Sequence, residues 1–167
     1  MGKILKGSEQ VARAFQIMAK AHKNSYFDDS TPKAVHVVRV SLLCPPYDWN
    51  CQAVALLHDV IESGNVTAKD LVEDGFDLDI VKAVVTLSKE EDEDYDDYIQ
   101  SIVDSDDELV INTKIRDLYD KLTHVSTRNM PLDDDRLADL VRYQAAWLRL
   151  SIIAEEKGWI ESPLSLE

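Results

Sequence analysis

The sequence predicts an all-α protein, a single compact helical bundle, on three observations. Apolar residues recur at three- and four-residue spacings, as in Val11, Ala14, Phe15, Met18 and Ala19, which gathers them on one face of a helix. Period-two alternation is nowhere sustained. The 5 glycines fall near the chain ends or in turns, so the helical runs keep clear of a residue that weakens helix interiors. A length of 167 residues suits one domain of roughly ordinary size, where ~100–150 residues is typical. With no internal repeat and no linker to divide it, residues 1–167 read as one domain, with 134–157 a C-terminal helix packed on the core.

Ser8, followed by Glu9, reads as the cap of a first helix ending near Lys23-Asn24, since a hydroxyl can accept from the free first-turn N–H groups. The loop Asp28-Asp29-Ser30-Thr31-Pro32 leads into a second helix, Lys33 to Leu43, stopped by Cys44-Pro45-Pro46 because proline cannot continue the hydrogen-bond ladder. Asp48 caps a third, running to about Glu62; its stretch Ala53-Val54-Ala55-Leu56-Leu57 is apolar on nearly every face, which makes it central. Ser63-Gly64-Asn65 is a turn, and Thr67 with Asp70 has capping-box spacing for a short helix that Gly75 ends. Ile80–Leu87 and Tyr95–Val103 are two further helices. The acidic run 90–97 between them is a solvated loop and helix start; it lacks the glycine and spacing of an EF-hand. Residues 107–126 and 134–157 are two longer helices, the second carrying Leu137, Leu140, Val141, Tyr143, Ala146, Trp147, Leu150 and Ile153 at helical spacing. Trp147 and Trp159, placed on that last helix, read as core or as the contact of a homodimer.

With 32 Asp and Glu against 18 Lys and Arg, the formal charge is −14. That field repels nucleic acid and anionic membranes, so the expected partner is a small molecule, and an anionic one needs local cations. No apolar run approaches the roughly 20 residues of a spanning helix, and the opening Met1 to Gln10 lacks a signal-peptide core. A cytoplasmic location is expected. The 2 cysteines, Cys44 and Cys51, are too few for a disulfide framework and read as reduced packing residues.

Three short segments carry chemistry. The third helix ends in Leu57-His58-Asp59-Val60-Ile61-Glu62, where charge follows directly on an apolar run. His36 is flanked by valines, and Asp117 lies inside the apolar stretch Val110 to Leu118. Each has an ordinary reading: a solvated helix end, a hydrogen-bonded core histidine, a salt bridge to Lys114 or Arg116. Together, two imidazoles and two carboxylates make a mixed nitrogen and oxygen shell suited to a divalent transition metal.

The order His36, His58-Asp59, Asp117 resembles the H…HD…D signature of the HD superfamily of metal-dependent phosphohydrolases, and most closely its alarmone-hydrolase branch, the RelA/SpoT hydrolase domain and the small stand-alone pyrophosphohydrolases. Residues 12–40, through Ala21-His22-Lys23 and Thr31-Pro32 to His36, follow that branch's "A-x-x-A-H…G-T-P-Y-x-x-H-P" segment. Ala55 to Glu62 follows "A-L-L-H-D-V-V-E-D", Val84 to Lys89 follows "V-T-x-L-T-K", and Lys114 to Leu118 follows "V-K-L-A-D-R-L-H-N". The resemblance implies an all-helical HD domain in which His36, His58, Asp59 and Asp117 hold one divalent ion, manganese in that branch. Asp59 and Glu62 are then the catalytic carboxylates, Glu62 positioning or deprotonating water. Lys23, Arg39, Lys114, Lys121 and His124 are the candidate phosphate contacts.

The chain also departs from the branch. Ser63 stands where the branch has the Asp of its Glu-Asp pair, Lys121 where it has Asn, and Lys33 where it has the Tyr after Thr-Pro. Asn24-Ser25-Tyr26-Phe27-Asp28-Asp29 replaces its basic run. The function implied is hydrolysis of a small nucleotide-like phosphate or pyrophosphate, with guanosine-3′,5′-bis(diphosphate) 3′-pyrophosphate hydrolysis as the specific case. An HD-type nucleoside monophosphate phosphatase, or a metal- or nucleotide-binding regulatory module with weakened turnover, is the alternative.

Overall fold

The apolar stripes form eight helices in the computed structural model, which describes residues 4–27, 30–63, 66–125 and 133–160. The Asp28-Asp29 part of the predicted loop, Gly64-Asn65 of the predicted turn and residue 126 lie outside the described residues. The helices are α1 Ser8–Ala21, α2 Lys33–Leu42, α3 Trp49–Leu57, α4 Ala68–Glu73, α5 Leu78–Leu87, α6 Tyr95–Asp104, α7 Glu108–Val125 and α8 Asp134–Glu156. Among the described residues there is no strand, only an isolated bridge between Tyr26 and Pro32. The protein is all-α. No helix is long and apolar enough to cross a membrane among those residues.

Much of the acidic excess at helix starts is used in caps. Asp48 accepts from the Cys51 N–H at 3.0 Å, and Asp77, Asp94 and Asp133 cap α5, α6 and α8 in the same way. Thr67 and Asp70 form the expected reciprocal box. The acidic run before α6 is therefore a helix start, as its composition suggests. Ser8, by contrast, is not a cap: the capping position is Gly7 at φ 54°, a left-handed conformation that favours glycine.

Two further boundaries differ from the sequence pattern. α3 stops at Leu57 rather than Glu62, and the chain continues in tighter turns, with Val60 N–H donating to the Leu57 carbonyl at 3.0 Å. Composition could not mark this change, because residues 58–62 remain helix-compatible. Trp159 lies just beyond α8, where Gly158 N–H bonds Glu155 O and Trp159 N–H bonds Ala154 O, the paired bonds of a Schellman ending. Both Trp147 and Trp159 pack partly buried against the core.

The cysteines also differ from expectation. Cys44 and Cys51 form a disulfide. The double-proline turn after α2 reverses the chain and brings their Cα atoms to 5.9 Å, within disulfide range. The pair remains a packing element, buried with Val40 and Ala55.

α3, whose Ala53 to Leu57 are all buried, is the central helix. α1, α2, α5 and α7 pack around it, and α8 lies along α7. Met18, Val54, Leu57, Ile80, Ile111, Leu118 and Leu150 fill the core between them. This packing fixes the end of α3 against the middle of α2 and α7, so polar residues at those places must meet one another without water.

Candidate metal centre

His36 of α2, His58 at the end of α3 and Asp117 of α7 meet in this interior, each almost wholly buried. His36 Nε2 lies 3.1 Å and His58 Nε2 3.7 Å from Asp117 Oδ1, and the imidazole centroids are 5.5 Å apart. Among the described residues none of these three atoms has a hydrogen-bond partner. Buried polar atoms without partners are costly, and three converging on one point are what a small cation would satisfy. All lie within 4.8 Å of one another.

The far side of each ring prepares this. His36 Nδ1 faces Asp120 Oδ2 at 2.7 Å and His58 Nδ1 faces the Ala55 carbonyl at 2.7 Å. Both oxygens can only accept, so each Nδ1 carries the proton, and in the neutral ring Nε2 keeps its lone pair. That is the tautomer a metal ligand requires, fixed by its outer partner. The donors present thus fit a divalent ion.

Charge around Asp117 is unusually dense. Its second oxygen, Oδ2, accepts from Lys114 Nζ at 2.9 Å and Lys121 Nζ at 3.0 Å. Burial opposes ionisation, but the two ammonium groups, with His36 and His58, hold this carboxyl well below the usual range. Asp59 lies beside His58, Oδ1 to Nε2 3.2 Å, with its side chain a quarter exposed. Burial again works against its charge, and His58 and Lys121 outweigh it, so this carboxyl too is lowered. Burial would lower His58, but Asp59 and Asp117 together raise it.

Sequence reasoning passed over Asp120. It lies one turn beyond Asp117, takes His36 on Oδ2, and binds Arg39 through both oxygens at 2.7 and 2.9 Å. Burial is overcome by His36 and Arg39, and its carboxyl falls to about 2. A signal was available: His36 and Arg39 are three apart on one helix, as are Asp117 and Asp120 on another, spacings that share a face.

The other predicted residues are placed unevenly. Lys114 and Lys121 reach Asp117, while Arg39 is engaged by Asp120. His124 Nδ1 lies 3.1 Å from Asp120 Oδ1. Lys23 lines a separate cavity of about 500 Å³ with Arg13 and Lys20 on α1. Glu62 is exposed. Ser63 donates to the Val60 carbonyl at 2.7 Å. His22 is buried beside the centre with neither ring nitrogen hydrogen-bonded among the described residues, and its burial lowers its pKa.

Comparison with known proteins points the same way. No protein-family model matches the chain. It is similar to a guanosine-3′,5′-bis(diphosphate) 3′-pyrophosphohydrolase of Borreliella burgdorferi, 28% identical over 83 residues, which is 48% of this chain and 12% of that protein. The chain thus spans only a small part of that relative's length. In structure it is similar to a metazoan ortholog of SpoT that hydrolyses ppGpp, with a TM-score of 0.69 and 18% identity over 93% of this chain and 99% of that one. The fold is shared. The similarity to a ppGpp hydrolase therefore spans 83 residues of sequence, and the structural match extends the shared fold to nearly the whole chain.

Proposed function

We propose that this chain is a single-domain, metal-dependent phosphohydrolase acting on a small nucleotide-like phosphate or pyrophosphate, with the 3′-pyrophosphate of guanosine 3′,5′-bis(diphosphate) as its specific target. The observation that carries this reading is the convergence of His36 Nε2, His58 Nε2 and Asp117 Oδ1, buried and unpartnered, with both rings in the ligand tautomer. His36, His58, Asp59 and Asp117 would hold one divalent ion, manganese in this proposal. Bound there, the ion supplies an acidified water, lowered from a pKa of ~15.7 toward ~7–9, and draws charge from a phosphoryl oxygen.

The chain's own groups do the rest. Asp120 and the Ala55 carbonyl hold the two rings in register. Glu62, exposed four residues beyond His58, orients water and takes its proton. Lys121 faces the phosphoryl group, whereas Arg39 and Lys114 hold the carboxylates in place. A net charge of −14 excludes nucleic acid and anionic membrane as favoured partners, and the cytoplasm is the compartment this reading implies. The test is a manganese-supplemented screen for phosphate and pyrophosphate release over guanosine tetraphosphate, nucleoside monophosphates and dinucleotides, beside metal analysis of the wild type and Asp59→Ala. Release from guanosine tetraphosphate and loss of metal in the variant are expected. No release from any of them would end the reading.

One observation favours a second reading. Ser63, with no carboxylate to offer, bonds back to its own turn, which suits a binding module with reduced turnover. Ser63→Asp distinguishes the two: pyrophosphohydrolase activity appearing only in that variant would favour the module.

A further inference from the structure

Asp117 Oδ2 accepts from two ammonium groups, one more than its charge needs. Lys114, 7% exposed, is enclosed, its Nζ 4.8 Å from the Tyr98 ring centroid. Lys121 is 26% exposed and stands 5.6 Å from the centroid of Tyr143. The Tyr143 ring lies 5.9 Å from Tyr95, which lies 6.2 Å from Tyr98. Asp117, Lys121, Tyr143, Tyr95, Tyr98 and Lys114 therefore form a closed circuit drawn from α6, α7 and α8, open to solvent at Lys121.

Within the circuit, Tyr98 donates to the Leu87 carbonyl at 2.6 Å, but the Tyr95 hydroxyl is buried with no partner among the described residues. Such a group is costly in a native fold and calls for an occupant. Burial pushes this phenol up to about 12, so it remains a donor. Donors dominate the circuit: two ammonium groups and three phenols, that of Tyr98 already engaged by Leu87, against a single carboxylate.

We infer that Lys121 Nζ and the Tyr95 hydroxyl together take an anionic oxygen of the phosphorylated substrate, on the Oδ2 side of Asp117. The identity of the anion rests on the phosphohydrolase reading; the site rests on the circuit and its unpartnered hydroxyl. Lys121 stands where the resembled branch carries Asn, so the cation belongs to this chain's own specificity.

Tyr95→Phe is the informative variant, because it removes only the oxygen that has no protein partner. On the full chain incubated with manganese, calorimetric titration with inorganic phosphate and with pyrophosphate should show Tyr95→Phe binding about 3- to 10-fold more weakly, the loss of one neutral donor. Its melting temperature should be equal to or above that of the wild type, since an unsatisfied group has been deleted. Lys121→Asn should weaken binding more, about 10- to 100-fold, as a charged donor is lost. Unchanged anion affinity in Tyr95→Phe would overturn the inference, whatever happens to its melting temperature, as would a wild type that binds neither anion. The two proposals fail separately. Tyr95-dependent anion binding without turnover would end the hydrolase reading alone, and turnover with Tyr95-independent binding would end this inference alone.

Discussion

The two imidazoles of the centre are held in unlike ways. His36 sits mid-helix, its Nδ1 on the carboxylate of Asp120, 84 positions away in sequence, and that carboxylate is itself clamped by Arg39. His58 sits where α3 ends, its Nδ1 on the Ala55 carbonyl only three residues back, and beyond it come the half-open Asp59 and exposed Glu62. The first ring is held by tertiary structure and long-range charge, the second by local turn geometry. The α2–α7 side is therefore the rigid support of the rings, and the end of α3, with Asp59 a quarter exposed and Glu62 exposed, is the side of the rings open to water. Changes on the first should cost fold and metal together, whereas a change at exposed Glu62 on the second should cost chemistry alone.

Asp117→Ala should break the supporting side most severely. It removes a ligand and leaves Lys114 and Lys121 facing each other without their counter-ion. Stranding a buried charge costs about 3–5 kcal/mol. Urea denaturation should show that loss, and metal analysis of the surviving folded fraction should find no bound manganese. Near-wild-type stability would mean that the ammonium groups reach water in this fold.

Asp120→Asn is expected to be milder. An amide can still accept from His36 but no longer neutralises Arg39, and loss of such an outer partner lowers metal affinity by about 10- to 100-fold. The pH dependence has a definite sign. The carboxyl is held at about 2, below its ordinary 3.8. Its contribution to stability is complete above the unfolded value and fades as pH falls through about 2. Acid titration monitored by circular dichroism should therefore separate wild type from variant at pH 5 and bring them together near pH 2. A gap that persists in acid would place the stabilisation in packing rather than charge.

How far the centre could be read from sequence follows the same division. His58-Asp59 announced itself because a charged pair directly follows an apolar run, and His36 and Asp117 because each breaks an apolar helix. The all-α fold was legible through periodicity, and the Asp48 and Thr67 starts through their side chains. Asp120 was not found, since its three-residue spacing from Asp117 gains meaning only when α2 and α7 cross at one register and bring it to His36 and Arg39. The early end of α3 was hidden because tight turns and helix accept the same residues. The Cys44–Cys51 bond depends on how sharply Pro45-Pro46 reverses the chain, a matter of three-dimensional closure rather than composition.

On the open side, Glu62→Gln should leave melting temperature and manganese content unchanged, because Glu62 is exposed and outside the buried cluster. Turnover should fall by about 10²-fold if its carboxylate takes the proton from water. Steady-state kinetics should assign the loss to kcat rather than KM. A variant that instead lost its metal would move Glu62 into the ligand shell and remove the contrast between the two sides.

The smallest effect concerns His58 itself. In the metal-free protein its pKa is raised, because Asp59 and Asp117 outweigh burial. A raised folded-state value stabilises most below the ordinary 6.5, and that stabilisation is lost as pH rises through the folded value. Metal binding has the opposite dependence, since Nε2 must shed its proton before it can be a ligand. Manganese and the proton therefore compete for one atom, and the stabilisation gained on adding manganese should grow from pH 6 to pH 8. One displaced proton is worth at most about 1.4 kcal/mol per pH unit, or roughly 3–5 °C of melting temperature for a chain of this size. Melting curves with manganese and with chelator at pH 6, 7 and 8 would measure it. A gain of equal size at all three would mean that the ion binds without drawing a proton from His58, and the open side of the centre would then hold a ring that only packs.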